Sequence, residues 1–526
     1  MDLIKSQIQM EKRKGTVSAQ STFDEVYNLP DSLPDIHSVI TDGGEVRLDE
    51  VKTGTGHVTV RGAVRFHVLY KTDQNEWKIA GLEGEIPFQE TLSAPDMSEF
   101  DMTAADAALE DLSIRVSNSR KLNIRALLEL RAVIRERYDA DIPIGIEAEL
   151  QPEMRMEEQE FLELKYYGKE SCTIREEIYV PANKPNVQKI LWQQAQVFGN
   201  QGRLSPGILT VQGEIQILIV YAGEENGSLQ WFTAKVPYRC EFEIPEAESS
   251  MIPWLAVRIQ NLSCSPGSDE DGEPRLILAE GGLHADVRLY EEEKKTLVAD
   301  TYALDRNLVL KKEKTAFPEL RMKNESKCRV DDTIRIQNQD SGILQICAGF
   351  GMEEVDRKTV TGDGILAEGA VRVQLLYLTD HDNTPLEAAE GVIPFQYLIE
   401  IPGIQPEDDV ELQHSLDDLS FLMKNSGEVE IQAVVCLQVM ATGSRELEVI
   451  GEIQEQEFKI EELNTQPSIV GLTLGPEDSL WEIAKKYHTT AGQIRQINRL
   501  ESDRISGGMK ILLIKQLPKR CVPKDN

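Results

Sequence analysis

The sequence has few of the residues from which catalytic and metal-binding sites are usually built. It contains seven histidines in 526 residues, and none stands in a His-Glu-x-x-His or similar spacing. It also lacks a Gly-x-x-x-x-Gly-Lys-Ser/Thr phosphate loop and a Gly-x-Ser-x-Gly nucleophile turn. The carboxylate pair of a glycosidase gives no usable signal, because 90 acidic residues produce every spacing by chance. We expect a protein that is not an enzyme, with no catalytic residue, metal or cofactor.

Cysteine is sparse as well, and the longest hydrophobic runs are short. The seven cysteines are dispersed and never form Cys-x-x-Cys, which is typical of a reducing compartment, and we expect them to be small buried apolar residues. Apolar runs such as 217–221 have the length of a strand, so no membrane insertion is expected. The first fifteen residues are rich in charge and contain no apolar core of a signal peptide. Together these absences predict a cytoplasmic location.

Positive charge is deficient over most of the chain. The formal net charge is -34, so a phosphate backbone or an anionic membrane surface would be repelled, and no nucleic-acid partner is expected. From Ser468 onward the balance reverses, with ten basic residues against six acidic ones. The last part of the chain is therefore electrostatically distinct from the acidic body.

One strand pattern occurs three times, at 57–70, 209–221 and 365–377, and we call these regions copies one, two and three. In each copy a Tyr follows a Gly by eight residues: Gly62 and Tyr70, Gly213 and Tyr221, Gly369 and Tyr377. Alternate residues are apolar, which predicts strands with one buried face and one solvent-exposed face. Because the Gly lies on the buried face, we expect a bulge there or the close approach of another segment.

The segments around the repeated strand also match between copies. Pro30 and Pro181 each precede their Gly by 32 residues, whereas the third copy has Gln337 and Ser341 in place of its prolines. Each copy continues with an Ile-Pro-Phe-like step, at 86–88, 236–238 and 393–395, where proline predicts an edge strand. A closing strand follows at 122–127, 276–278 and 429–434.

These motifs predict a mainly β protein with three tandem antiparallel β-sandwich-like domains of about 110 to 120 residues each. The predicted boundaries are a polar segment 1–22, copy one 23–140, copy two 174–293 and copy three 329–445. The segments between the copies are interpreted as connections packed on the repeats rather than as free linkers.

A different module follows, over 468–515. Ser479 and Glu482 form a capping-box pattern before one short amphipathic helix, Thr490 and Gln493 do the same before a second, and strands are predicted on both sides. The predicted order is βααβ.

Both modules resemble known families. The proline lead, the Val-x-Gly-x-Val-x-Phe-x-Val-x-Tyr strand, the Ile-Pro-Phe step and the closing strand resemble the SPOCS domain of SipL-like spore-coat morphogenetic proteins. The sequence Asp478-Ser-Leu-Trp-Glu-Ile-Ala484, with Ile497-Asn498 and Gly508-Met-Lys-Ile511, resembles a LysM domain. LysM domains have a Gly directly before this Asp, and Glu477 stands there.

The resemblance implies a function in spore-coat assembly. Such proteins are mother-cell scaffolds that dock at the forespore surface by binding a SpoIVA-like coat ATPase, and other coat proteins, so that the coat localises or encases the spore. The alternative is a glycan-binding protein whose LysM domain holds peptidoglycan or other N-acetylglucosamine polymers.

The same resemblance implies a shallow groove between two loops, 476–480 and 503–508, that binds a protein or a glycan. Its candidate residues are Pro476, Glu477, Asp478, Ser479, Leu480, Trp481, Asp503, Arg504, Ile505, Gly507 and Gly508. Two interpretations of Trp481 stay open: it fills the core of the small domain, or it lines the groove. For Asn498 we expect a hydrogen-bonding role at the helix end, with contact to the ligand as the alternative.

Overall fold

The computed structural model describes residues 1–72, 78–149, 151–224, 227–336, 342–379, 386–457 and 467–514.

Each copy of the repeat forms six strands. Copy one contains β1 Asp2–Asn28, β2 Ile36–Gly54, β3 His57–Thr72, β4 Ile79–Ser93, β5 Met102–Asn118 and β6 Lys121–Glu147. Copy two contains β7 Glu153–Tyr179, β8 Val187–Ser205, β9 Ile208–Gly223, β10 Leu229–Glu243, β11 Ile252–Gly267 and β12 Leu276–Tyr302. Copy three contains β13 Asn307–Arg335, β14 Ile343–Val360, β15 Gly364–Thr379, β16 Leu386–Glu400, β17 Asp409–Asn425 and β18 Glu428–Gln456.

The strands of each copy form two antiparallel sheets. In copy one the small sheet has the order β2-β3-β4 and the large sheet the order β1-β6-β5, and the other two copies repeat both orders. Apolar residues of the two sheets share one buried cluster, in which Val60 and Phe66 from β3 meet Ile124 from β6. The predicted antiparallel sandwich is confirmed. The proline-containing strands β4, β10 and β16 lie at sheet edges, where a missing N–H breaks no ladder.

The repeated Gly allows the first two strands of the small sheet, β2 and β3 in copy one, to come close. A Cβ atom at Gly62 would lie 2.1 Å from the carbonyl oxygen of Arg47 and 2.9 Å from Cζ of Phe88. The register of β2 against β3 shifts at this point, between Leu48 and Glu50. Gly213 and Gly369 face similar shifts, so both expectations for the repeated Gly, a bulge and a close approach, are confirmed.

The repeated Tyr joins the strand to the proline lead. Tyr70 donates a hydrogen bond to the carbonyl oxygen of Pro34 at 3.0 Å, and Tyr221 donates one to Pro185 at 2.9 Å. In copy three the hydroxyl of Tyr377 donates a hydrogen bond to Glu387 at 3.3 Å. The substituted lead positions of that copy, 337 and 341, lie outside the described residues.

An arginine that the sequence analysis did not identify holds the same lead. Arg120 donates hydrogen bonds to the carbonyl oxygens of Leu33 and Pro30, at 2.7 and 2.9 Å. In copy two Arg275 makes the corresponding bonds to Lys184 and Pro181, at 3.0 and 2.9 Å. By strand register this position is occupied by a glycine, residue 427, in copy three. The arginine and the prolines are therefore present in the same two copies.

The long strands differ from the predicted boundaries. Residues 1–22, interpreted as a separate polar segment, are part of β1, and the connections 137–173 and 294–328 are largely the ends of β6, β7, β12 and β13. Each copy therefore spans about 150 residues. Beyond the sandwich, the ends of β1 and β6 continue as a two-stranded ribbon, in which residues 2–13 pair with 135–147. Copies two and three have equivalent ribbons.

The three ribbons pack against one another. Their shared apolar cluster contains Ile8 and Ile142 from copy one, Phe161 from copy two and Phe317 from copy three. The rings of Phe161 and Phe317 meet edge to face, with centroids 5.0 Å apart. Phe161 and Phe317 lie more than 140 positions apart along the chain, so no local pattern could have predicted their contact.

The small sheets also meet, through the face that was expected to be solvent-exposed. Leu69 of copy one, Trp192 and Val220 of copy two, and Phe350 and Leu376 of copy three belong to one buried cluster. The prediction that the outer face of the repeated strand is exposed to solvent is therefore wrong at the end of the strand that carries the Tyr. It holds at the other end, where Arg61 is exposed.

Buried ion pairs join all three copies where the ribbons leave the sandwiches. Glu411 of copy three accepts hydrogen bonds from Arg135 of copy one and from Arg288 and Trp254 of copy two. Glu11 accepts from the same two arginines, at 3.2 and 3.0 Å. Burial opposes ionisation of Glu411, but Arg288 and Arg135 hold its pKa below the usual value. We call these five residues the hub.

Two further expectations are corrected in copy two. Sequence analysis placed the core positions of its closing strand at 276 and 278. The strand register instead places Ile277 and Ala279 in the core, one residue later. Cys172 of β7 and Cys240 of β10 form a disulfide that joins the two sheets, although all cysteines were expected to be unpaired. Because 68 positions separate them, spacing gave no sign of the pairing. Cys264, Cys328, Cys347 and Cys436 are free, and Cys521 lies outside the described residues.

The last module consists of β19 Ile469–Thr473, α1 Leu480–Lys486, α2 Ala491–Asn498 and β20 Lys510–Ile514. The predicted βααβ order is confirmed, and β19 pairs antiparallel with β20. In the part of the chain that the structure describes, no helix is long and apolar enough to span a membrane.

Candidate functional site

The two helices of the last module begin at the predicted caps. Ser479 Oγ accepts a hydrogen bond from the N–H of Glu482, and Thr490 Oγ1 accepts one from the N–H of Gln493, both at 3.1 Å. These bonds satisfy backbone donors that a helix start leaves free. Leu480 is buried in the core of the module, so this member of the predicted groove is committed to packing.

The two loops of the candidate groove lie side by side. The N–H of Gly508 donates to the carbonyl oxygen of Leu474 at 2.7 Å, which ties the second loop to the first. A Cβ atom at Gly507 would lie 3.2 Å from Cα of Pro476, so a residue without a side chain fits this contact. Asp478 accepts a hydrogen bond from the N–H of Gly475 at 2.7 Å and closes the first loop.

Most of the predicted groove residues are accessible. Ser479, Trp481 and Ile505 are half-buried, and the exposed members are Pro476, Glu477, Asp478, Asp503, Arg504, Gly507 and Gly508. Glu477 does not have a positive φ, so replacing the family's Gly causes no backbone strain there. Asp503 forms an ion pair with Arg495 at 3.1 Å, whereas Arg504 is exposed at the loop surface.

Trp481 connects the module to copy two. Its indole Nε1 donates a hydrogen bond to Asp300 at 2.7 Å, and its ring packs edge to face against Tyr302, with centroids 4.9 Å apart. Both partners lie at the end of β12, in the ribbon of copy two. Neither interpretation of Trp481 anticipated this contact, because the partners are about 180 residues away.

Polar contacts surround the same interface. Lys485 donates to both carboxylate oxygens of Asp300, at 2.6 and 2.8 Å, and Tyr302 donates to the carbonyl oxygen of Thr489 at 2.9 Å. Burial disfavours the charged form of Asp300, but the hydrogen bonds from Lys485 and Trp481 hold its pKa below the usual value. An ion pair between Arg155 and Glu482 lies at 3.7 Å. The module is thus docked on the body.

Family models now identify these units. The model described as SipL, SPOCS domain matches residues 35–117, 186–266 and 342–424, which together make up just under half of the chain. The LysM domain model matches residues 473–513. The chain contains three SPOCS domains and one LysM domain. No curated protein and no solved structure matches it.

The SPOCS matches cover four strands of each copy. In copy one they extend from β2 to β5, so the long strands β1 and β6, and with them the ribbon, lie outside the matched range. The matches mark the chain as a sporulation-related protein, and the LysM domain is a module type that binds N-acetylglucosamine-containing polymers.

Asn498 of the LysM domain has the expected structural role. Its side chain donates to the carbonyl oxygens of Ile494 and Leu512 at 2.8 Å and accepts from the N–H of Leu512 at 2.7 Å. It therefore fixes the end of α2 against β20. The basic excess expected for this region falls mainly on residues 515–526, which lie outside the described part of the chain.

Proposed function

We propose that the protein is a non-catalytic scaffold of the spore coat. It acts in the mother-cell cytoplasm, docks at the forespore surface by binding a SpoIVA-like coat ATPase, and supports localisation of the coat or encasement by it. The observation that carries this proposal is that three SPOCS domains share two apolar clusters and the hub, with a LysM domain docked on them.

A fused body suits multivalent docking. When several binding surfaces are held at fixed separations, the second contact forms at high effective concentration and without ordering a linker. The hub and the ribbon core support such fixed separations, since each contains residues of all three SPOCS domains.

In this proposal the LysM domain makes the specific contact with the ATPase. Its groove loops stay exposed while Trp481 and Lys485 hold it against copy two. Arg504 offers an unburied cation there, which suits an acidic protein surface. The same exposed loops favour the alternative function, binding of peptidoglycan or another N-acetylglucosamine polymer.

Co-sedimentation of the full chain tests the two functions side by side. We expect the chain to pellet with polymerised SpoIVA-like ATPase and not with insoluble peptidoglycan. Arg504→Gln should weaken ATPase binding several-fold, whereas Arg499→Gln, at an exposed position at the end of α2, should not. Retention on peptidoglycan without binding to the ATPase would overturn the proposal in favour of the alternative. Cell-wall hydrolysis by the purified chain in a zymogram would contradict the non-catalytic assignment.

Localisation is tested in sporulating cells. A fluorescent fusion of the full chain should accumulate around the forespore, and a version that ends near Pro467 should not. If the truncated protein localised equally well, recruitment would belong to the SPOCS domains rather than to the LysM domain.

A further inference from the structure

The small sheet of the third SPOCS domain exposes apolar side chains along its free edge. Val392 and Leu398 on β16 are 60% and 40% exposed, and Pro394 and the exposed Gln396, which donates a hydrogen bond to Glu368, lie between them on the same face. Leu366 of β15 is the register partner of Leu398 and is half-buried beside it. Single exposed apolar residues are common, but several on one face indicate an interaction surface. We call these four apolar residues the β16 stripe.

The other two SPOCS domains serve as an internal comparison. Phe395 opposes Gly369 in the same way that Phe88 opposes Gly62, which fixes the equivalent positions. Val392 then corresponds to Glu85 in copy one and Lys235 in copy two, and Leu398 corresponds to Thr91 and Glu241. The fold therefore accepts charged or polar residues at these positions. Two large apolar side chains at these positions distinguish the third domain from the other two.

Charge around the stripe selects the partner. Glu368, Glu390 and Glu400 lie on β15 and β16 close to it, while Arg372 is paired with Glu354 at 3.3 Å. The chain as a whole carries a net charge of -34, which opposes the approach of a second copy. A partner with basic residues beside its apolar ones complements this surface.

The shape of the stripe favours a helix. Leu398 follows Val392 by six positions, so the stripe is about 20 Å long, the length of a helix of about 14 residues. Addition of a strand is disfavoured, because Pro394 leaves no N–H on the free edge at its centre.

We propose that the β16 stripe is a docking surface for a basic amphipathic helix of a partner protein, separate from the LysM contact. The apolar face of the helix covers Val392, Pro394 and Leu398, and its lysines or arginines approach the surrounding glutamates. This surface goes beyond the proposed function, since it lies on the third SPOCS domain and does not involve the groove loops.

A synthetic peptide tests the surface with the full chain. The probe is an 18-residue labelled helix of alternating leucine and lysine faces, and its counterpart has glutamate in place of lysine. Fluorescence anisotropy should detect binding of the leucine–lysine peptide only. The double variant Val392→Glu, Leu398→Thr, which introduces the residues of copy one, should weaken this binding at least tenfold.

The control is Gln89→Glu on β4 of copy one, an exposed edge position that gains the same single charge. Because both variants add a negative charge, attraction by charge alone would strengthen binding in each, and a loss in the double variant alone identifies apolar contact. Equal binding by wild type and the double variant would overturn the proposal, as would equal binding of the two peptides. Sedimentation of wild type as a dimer that the double variant abolishes would assign the stripe to a second copy and also overturn it.

Discussion

The three SPOCS domains bury an equivalent tyrosine at the end of the repeated strand. Tyr70, Tyr221 and Tyr377 are all buried, yet the first two bond to a proline carbonyl and the third reaches a glutamate. Burial raises the pKa of Tyr70 to about 12, so its hydroxyl remains a donor at physiological pH. Burial of this tyrosine is common to all three copies, and its hydrogen bond to the lead is described in copies one and two.

His67 gives a prediction at this scale. Burial, together with the nearby Arg65, lowers the pKa of His67 to about 4, and its ring lies edge-on to Trp192 with centroids 4.2 Å apart. The unfolded chain binds this proton more tightly, with a pKa of about 6.5, so stability is complete above that pH and is lost as the pH falls toward 4. We expect urea unfolding of wild type to lose about 2 kcal/mol between pH 7 and pH 5 from this group.

The matched variant is His67→Leu, which introduces the residue of copy two, Leu218, at the equivalent position. It should remove this part of the pH dependence, whereas His57→Gln, at the exposed start of β3, should leave it unchanged. An unchanged pH dependence in His67→Leu would show that the imidazole does not carry the effect.

At the scale of the element, the repeated Gly couples a bulge to an edge strand. Each of the three glycines lies opposite an aromatic residue of the proline-containing strand, and that ring covers the backbone where a side chain is missing. The motif was predictable from the sequence, because the Gly and the proline-containing step after it recur at nearly constant spacing. The long strands were not predicted at their full length, because their ribbon ends are rich in Glu, Lys and Arg and were interpreted as connections packed on the repeats.

Replacement of Gly62 tests this arrangement. Gly62→Ala places a Cβ atom 2.1 Å from a backbone oxygen, so strands β2 and β3 must separate, and we expect a loss of about 3 kcal/mol in the free energy of unfolding. Gly15→Ala in β1, with no heavy atom within 4 Å of its Cβ position, should change stability by less than about 0.5 kcal/mol. Guanidinium denaturation measures both. Equal effects would mean that the bulge tolerates a side chain.

At the scale of the molecule, three repeats have become one body. The central cluster between the small sheets, the ribbon core and the hub each contain residues of all three copies. A chain of independent SPOCS domains would unfold in several steps, whereas domains that share these interfaces are expected to unfold together.

Glu411 is the position to test, because it contacts arginines from both other domains. Glu411→Gln removes a charged hydrogen-bond partner of Arg135 and Arg288, which still contact Glu11, and we expect a loss of about 1–3 kcal/mol. The exposed ion pair of Glu428 with Arg335 supplies the control, and Glu428→Gln should leave the midpoint nearly unchanged, because an exposed ion pair contributes little to stability. Calorimetry should give one transition for the three domains in wild type and a lower midpoint in Glu411→Gln. Three separate wild-type transitions would contradict the fused body.

The sequence by itself determined which domains are present and how each begins to fold. Alternating apolar residues, a Gly at fixed spacing and capping residues are local signals, since burial periodicity and backbone geometry act over a few positions. The tertiary structure alone decided how the domains are joined. Trp481 meets Asp300, Phe161 meets Phe317, and Glu411 meets two arginines across more than 100 positions of chain. Such contacts arise from the shapes and charges of finished surfaces, and a linear pattern carries no record of which surfaces will face each other.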